Sequence, residues 1–363
     1  MLLPVLFLMA TKLESGAPGV PARQPQLAAG PGITAMAFGA GKTIYFASSA
    51  DKGKTFGAPV KVAELGALHL GRHRGPRLAI LASALVITAV VGDKAAEEKP
   101  GAGLHVHKAP EAGDLVAFRS VDRGKTWIRS GVVNDVPNSA REGLHAMATD
   151  GKATIFTAWL DLRGKGTKLY GAKSTDGGVT WKKNVEVYSS PDGTICQCCD
   201  PSVAIEADGR IWAMWRNVID GDRDLWAVSS KDGVTFKAAQ KLGEGSWKLN
   251  ACPMDGGGFA VTESGDIVSA WRRGSDVYLA EPGAPEKKLG TGKDVAMARG
   301  KKGTYVAWTV SAKDATGIQI AAPGGSPTQL AAEGAFVNLL ALPDGSILAA
   351  WEAHDSIETK RLN

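Results

Sequence analysis

The chain has 363 residues, 44% of them hydrophobic, with Gly 45 and Pro 18, a composition that suits many short strands joined by tight turns. Lys and Arg total 42 against 37 Asp and Glu, a formal charge of +5, and the basic residues are scattered apart from Arg72-His73-Arg74 and Arg77, which argues against a nucleic-acid partner. No apolar stretch reaches transmembrane length: the run at 80–91 is too short, and its β-branched content reads as paired strands.

Residues 2–10 are apolar and lead into a Gly/Pro/Ala-rich tract that ends near residue 32. The pattern reads as the core of a secretory signal and a disordered spacer, so the protein is expected to be periplasmic or secreted, with one folded domain over 33–363. From there one grammar repeats: an apolar strand, an Asp-Gly-type turn, a strand ending in Ala-Trp or Met-Trp, a variable loop and a further hairpin. It is clearest from Leu144 through Asp150-Gly151 to Trp159. It recurs at Asp208-Gly209 with Trp215, Ser264-Gly265 with Trp271, then Trp308, and Asp344-Gly345 with Trp351. A four-stranded unit of this kind cannot bury both faces, so such units stack radially around an axis. The first unit, 33–62, and the last, 337–361, each look incomplete. Joined by the two chain ends into one blade, they close an all-β ring of six; seven follows if the N-terminal unit completes itself.

A second pattern, Ser-x-Asp-x-Gly-x-Thr-aromatic, marks the further hairpins. It stands at Ser49, Asp51, Gly53, Thr55 and Phe56, at Ser120, Asp122, Gly124, Thr126 and Trp127, and at Ser174, Asp176, Gly178, Thr180 and Trp181. A copy one residue shorter runs through Ser230, Asp232, Gly233, Thr235 and Phe236. Asp and Ser satisfy backbone amides inside such a turn, Gly takes the positive φ, and the aromatic residue starts the returning strand. These turns resemble the Asp-boxes, or BNR repeats, of the sialidase superfamily, and the resemblance spans nearly the whole chain. It implies a sialidase-like six-bladed β-propeller, with blades that act on or bind glycans.

The grammar sends the inner turns and the Asp-boxes to one face, and the blade-to-blade connections and post-Trp loops to the other. The second set carries nearly all the unusual residues, which is where loop-borne function belongs. Sialidases hold a substrate carboxylate with three arginines, and use an aspartate as acid/base and a Tyr–Glu pair as nucleophile. Carried onto this chain, the resemblance implies Arg74, Arg77, Arg163, Arg216 and Arg272, with His145 and Asp200, as substrate-binding residues, because a guanidinium fork grips a carboxylate. Asp161 and Glu142 stand as catalytic carboxylates, with Asp200 a third candidate, and Tyr170 as the one tyrosine near a mouth loop. The Arg-Ile-Pro segment of the family is absent. The expected function is a glycoside hydrolase, or a glycan-binding propeller, taking an anionic sugar in its axial mouth with no required cofactor. The alternative is a non-catalytic propeller that binds a soft metal or a protein partner through its Cys/His-rich loops.

Cys196, Cys198 and Cys199 fall within four residues, and Cys252 lies on the next equivalent connection beside Pro253 and Met254. In an exported protein such cysteines form disulfides, and Cys252 is expected to pair with Cys198 or Cys199. The other reading is a copper or zinc site built from Cys196, Cys198, Cys199, Cys252 and Met254, with His69, His73 and His145 on the same face. His105 and His107 belong to a long loop, 93–114, that either caps the mouth or is a solvated insertion.

Overall fold

A computed structural model describes residues 11–92, 110–311 and 316–362; the apolar run at 2–10 and His105 and His107 lie outside them. Among the described residues every helix or strand element is a β-strand, and the strands form seven antiparallel sheets. Six follow in chain order as blades 1 to 6, over residues 22–64, 67–132, 145–188, 202–241, 258–291 and 293–331. In each, the strand that comes first in the chain lines the axis. Blade 7 combines three C-terminal strands with one from the start of the chain: Thr11–Glu14 pairs antiparallel with Ser356–Leu362, from Thr11↔Thr359 to Glu14↔Ser356.

The ring has seven blades where six were expected, because the first unit completes itself. Ala22–Gly30 pairs with Ile33–Ala40 and supplies the innermost strand of blade 1. The tract up to residue 32 is therefore structured from Thr11 onward, and is not a spacer. Its small-residue composition hides strands whose side chains are Ala22, Leu27 and Ala28, which fit a crowded axis.

The blades are held by a repeated wedge. Trp159, Trp215, Trp271, Trp308 and Trp351 end the second strands of blades 3 to 7, and none is more than 4% exposed. Each packs into the blade before it: Trp159 against Leu115 and Ala117, Trp215 against Leu144 and Phe156, Trp271 against Met214 and Leu225. Trp308 meets Ala270 and Val277, and Trp351 meets Ala307 and Ile318. Phe38 takes the same part in blade 1, packed with Leu13, Ala350 and Ile357 of blade 7.

The four Asp-box turns lie between the third and outermost strands of blades 1 to 4. In the third copy Asp176 accepts hydrogen bonds from Ser174 Oγ at 2.8 Å, Thr180 N at 3.0 Å and Thr180 Oγ1 at 2.5 Å, while Gly178 N donates to Ser174 Oγ at 2.9 Å. These donors, working against partial burial, lower the Asp176 pKa to about 2. The box glycine also lets the turn touch the previous blade: a Cβ on Gly124, whose φ is 87°, would run into the ring of Phe46. Trp127 packs against the same ring at a tilt of 59°, 5.3 Å between centroids.

Urea denaturation separates the two devices. Trp308→Ala is expected to cost about 3–5 kcal/mol, as a large core truncation does. Asp176→Ala is expected to cost about 1 kcal/mol, a lost turn hydrogen bond, and to leave ligand affinity unchanged. A large affinity loss in Asp176→Ala at constant stability would move the functional face to the Asp-box side.

Candidate functional site

Seven innermost strands converge on an axial cavity of about 280 Å³. Three charged side chains are among its lining residues, His73, Arg77 and Asp200, together with polar Gln24, Gln26, Ser202 and Asn338. The strands reach this geometry by bending where they start. In blades 1, 6 and 7 the ladder slips between Arg23 and Gln26, Lys293 and Ala296, and Ala335 and Asn338. Gln24, Asp294 and Phe336 there take left-handed φ values of 54°, 55° and 53°. A bulge of this kind re-aims a side chain, and the left-handed region is costly for non-glycine residues. Such outliers collect at functional sites.

Blade 2 departs from the repeat. Its innermost strand is split into Ala67–Leu68 and Arg77–Ile80, which pair with the two ends of Leu85–Gly92. Residues 69–76 leave the sheet between them, and their tip is a turn closed by two backbone hydrogen bonds of 3.0 Å between Gly71 and Arg74. Its central residues, Arg72 and His73, have φ of 46° and 68°, as a turn with both central residues left-handed demands. The tip reaches across the axis. His73 Nε2 lies 3.2 Å from Asp294 Oδ1 of blade 6, its ring meets Phe336 of blade 7 edge-on at 5.4 Å, and Arg72 Nη1 donates to Met254 Sδ at 3.1 Å.

The electrostatics follow from this crossing. Burial works against a charged imidazole at His73, but the carboxylates of Asp200, Asp294 and Asp255 outweigh it and raise its pKa to about 9. Asp294 is lowered: burial opposes its charge, and the hydrogen bond and charge of His73 overcome that. Asp255 is raised by burial and by the neighbouring charge of Asp294; its two oxygens accept from Asp294 N at 2.8 Å and Val295 N at 3.2 Å. Arg77 is braced by Nη2 donating to His73 O at 2.7 Å, and faces Asp200, whose charge opposes the effect of burial on the guanidinium. The cavity thus presents two cations and one carboxylate, backed by two more acids.

Of the residues singled out from sequence, His73, Arg77 and Asp200 line this cavity. The other arginines do not share it. Arg163 is bound to Asp161 at 2.9 and 3.0 Å, to Asp135 at 2.9 Å and to Asn184 at 2.9 Å, with its guanidinium 3.9 Å over the Tyr170 ring. Arg216 is buried and donates to three carbonyls, of Asp255, Arg223 and Arg272. Arg272 donates to Gly274 O at 2.7 Å. Arg74 clasps Glu142 through its carbonyl and carboxylate, both at 2.7 Å. Asp161 is occupied by Trp159 Nε1 at 2.7 Å as well as by Arg163. A Tyr–Glu pair does exist, Tyr170 Oη donating to Glu186 Oε2 at 3.2 Å, but it sits on the third and outermost strands of blade 3. His145 is fully buried beside Thr88, at 3.1 Å, and burial together with Arg77 lowers its pKa to about 3. Gln24, Asp294, Phe336 and Asn338 went unnoticed in the sequence: the first lay in the supposed spacer, and the other three carry no motif.

The four cysteines form no disulfide, so the expected bond from Cys252 to Cys198 or Cys199 is not made. Cys196, Cys198 and Cys199 are buried with their sulfurs within 4.8 Å of one another, a group able to hold a metal ion. The histidines stand apart from it: His69 meets Ala112 O at 3.1 Å, and His73 and His145 have the partners given above. Cys196 is held well below the usual thiol range by hydrogen bonds from Cys198 and Cys199 and by Arg223 and Arg216.

Fold and cavity together define a seven-bladed β-propeller with a charged axial site. No protein-family model matches the chain, and no curated protein matches it by sequence. Solved structures do match in fold. An ulvan lyase, a polysaccharide lyase, aligns with TM-score 0.58 at 12% identity, over 97% of this chain and 96% of its own. A protein of unknown function from Dyadobacter fermentans gives 0.54 at 16%, over 97% and 99%. An alpha-L-arabinanase of Penicillium chrysogenum, complexed with arabinobiose, gives 0.51 at 14%, over 97% and 98%.

The His73 ring should titrate by NMR with a midpoint near pH 9, and Asp294→Asn should bring that midpoint down toward the ordinary value of about 6.5. Because the folded pKa is the raised one, the stability from this pair is complete below about pH 6.5 and is lost as pH climbs through 9. A wild-type midpoint below 7 would remove His73 as the cation of the cavity.

Proposed function

We propose that this chain is a glycan-acting propeller that seats an anionic sugar in the axial cavity. Arg77 and His73 hold the acid group of the sugar, and Asp200 serves as acid/base at the glycosidic oxygen. One observation carries the reading: two half-buried cations and a carboxylate share a cavity to which all seven blades contribute. At about 280 Å³ it falls just under the usual range of ligand pockets, roughly 300–1,000 Å³, which suits a single sugar residue. Charged groups gathered at a concave site are the signature of recognition or proton transfer. Support from fold likeness is of the same kind, since propellers of this shape include an arabinanase and an ulvan lyase. The sialidase-type clamp of three separate arginines is not part of this reading. The cations here are one arginine and one histidine, and the tyrosine paired with a glutamate lies away from the axis. Export of the protein, read from residues 2–10, would bring the site to extracellular glycans.

The test is calorimetry with monosaccharides that differ in one acid group, such as glucuronic acid against glucose and N-acetylneuraminic acid against N-acetylmannosamine, followed by release assays on their aryl glycosides. Carboxylated sugars should bind better, and Arg77→Ala should weaken them by about 10- to 100-fold, the worth of a hydrogen bond between charged groups at about 1.5–3 kcal/mol. Neutral sugars should be indifferent to that change. Asp200→Asn should retain binding and abolish release. Equal affinity for acidic and neutral sugars, or no loss in Arg77→Ala, would sink the proposal.

A further inference from the structure

The cysteine cluster is outside the axial cavity and unused by any step of the reading above. Its geometry is that of a metal shell. Cys196 Sγ lies 3.4 Å from Cys199 Sγ and 3.8 Å from Cys198 Sγ, and Cys252 is within hydrogen-bonding reach of Cys198. Four thiolates around one ion with metal–sulfur bonds of about 2.3 Å lie about 3.8 Å apart along the edges of a tetrahedron. Met254 packs against the cluster, but its Sδ is taken by Arg72, which leaves Cys252 as the fourth donor. Among the described residues no histidine or carboxylate belongs to the group of sulfur donors, so the donor set is soft throughout and suits a thiophilic d¹⁰ ion.

The surroundings are those of a loaded site. Arg223 Nη1 points at Cys196 Sγ from 3.1 Å, and Asp255 N donates to Cys199 Sγ at 3.4 Å. A guanidinium offsets the net charge that several thiolates leave on a bound cation, and an amide donor orients the sulfur.

From these observations we infer that Cys196, Cys198, Cys199 and Cys252 bind one Cu(I) or Zn(II) ion as a closed four-sulfur clasp between blades 4 and 5. The clasp joins two blade-to-blade connections that also serve the axial cavity. Asp200 follows Cys199 directly, and Asp255 follows Met254. Gly256 N donates to Asp200 Oδ1 at 3.1 Å, and a Cβ on Gly256 would collide with the Asp200 carbonyl. Loading the sulfurs therefore fixes the two loops at the spacing that sets Asp200 in the cavity wall and places Asp255 behind Asp294. The inference stands on the sulfur geometry and does not depend on what the cavity binds.

The experiment uses the full chain, purified without chelator and kept reduced under anaerobic conditions. Metal is measured by mass spectrometry, with Zn(II) and Cu(I) added in separate titrations against competing chelators: bathocuproine disulfonate for Cu(I) and a zinc-selective chelator for Zn(II). One ion per chain is expected, and the metal that copurifies with the chain identifies the resident ion. Cys196→Ser and Cys199→Ser should each lose at least about 100-fold in affinity, and Arg223→Gln about tenfold, as loss of an outer-shell partner does. Met254→Leu should bind as wild type does. Loading should raise the melting temperature of the wild type and not that of Cys196→Ser. Should the serine variants fail to fold, alkylation of the wild-type protein decides instead: bound metal should protect all four thiols from iodoacetamide. Uptake weaker than micromolar for both ions, uptake unchanged in Cys196→Ser, thiols that label equally with and without metal, or a native disulfide among the four would each overturn the clasp.

Discussion

Six of the seven blades depend on one interaction, an aromatic ring at the end of the second strand driven into the blade before it. A sheet with two apolar faces has no stable edge-on arrangement in water, and neighbouring blades solve this for each other. A tryptophan at this point removes a large apolar area from water and sets the distance between blades. Because Trp159, Trp215, Trp271, Trp308 and Trp351 sit at the same place in five blades, the blades repeat at one angle and their first strands meet at an axis. The axial cavity is the space left where seven such strands cannot approach further.

The residue after the ring does a second job. Glu352, after Trp351, accepts from Gln24 N at 2.8 Å, and Thr309, after Trp308, accepts from Phe336 N at 3.3 Å. Arg216, after Trp215, donates to Asp255 O at 3.0 and 3.1 Å. In each case a side chain from one blade satisfies a backbone group where the next blade begins, at or near a bend. An unpaired buried backbone group costs free energy comparable to a lost hydrogen bond, so these bends persist only because they are fastened. That explains why the arginines after the tryptophans are not a substrate clamp. A guanidinium with five donors is as well suited to buried carbonyls as to a carboxylate.

This division also explains what was legible in the sequence. The Asp-Gly turns, the Ala-Trp strand ends and the four Asp-boxes repeat, and repetition carries information that a single residue does not. The class of fold follows from them. The seventh blade was hidden because Ala22, Leu27 and Ala28 carry a strand in a tract whose small residues look unstructured. The bends were hidden because a left-handed Gln, Asp or Phe leaves no mark in sequence; only glycine advertises that conformation. The arginines were visible as a set, yet residue type alone cannot tell a fastener from a ligand. The cysteines were legible as a cluster from spacing, whereas the separation of the histidines from them depended on where the 69–76 excursion turns.

Two breaks in the repeat fall opposite each other, and the site lies between them. At the junction of blades 5 and 6 the residue after the tryptophan, Arg272, turns back to Gly274 O and leaves the next bend unfastened. Asp255, from the connection between blades 4 and 5, fastens it instead, accepting from the amides of Asp294 and Val295. The Asp294 side chain is then turned to the axis with an oxygen to spare for His73. Blade 2 supplies that histidine only because its innermost strand is interrupted, and the excursion crosses to the far side of the ring. Either break alone would leave a buried charge without its partner, a cost that selection on stability would remove. Together they set a cation at the centre of a cavity whose wall also carries Arg77 and Asp200. The segment that brings Asp255 to the junction also carries Cys252 just before it, so the departure from the repeat at blades 5 and 6 and the sulfur cluster share one short stretch of chain.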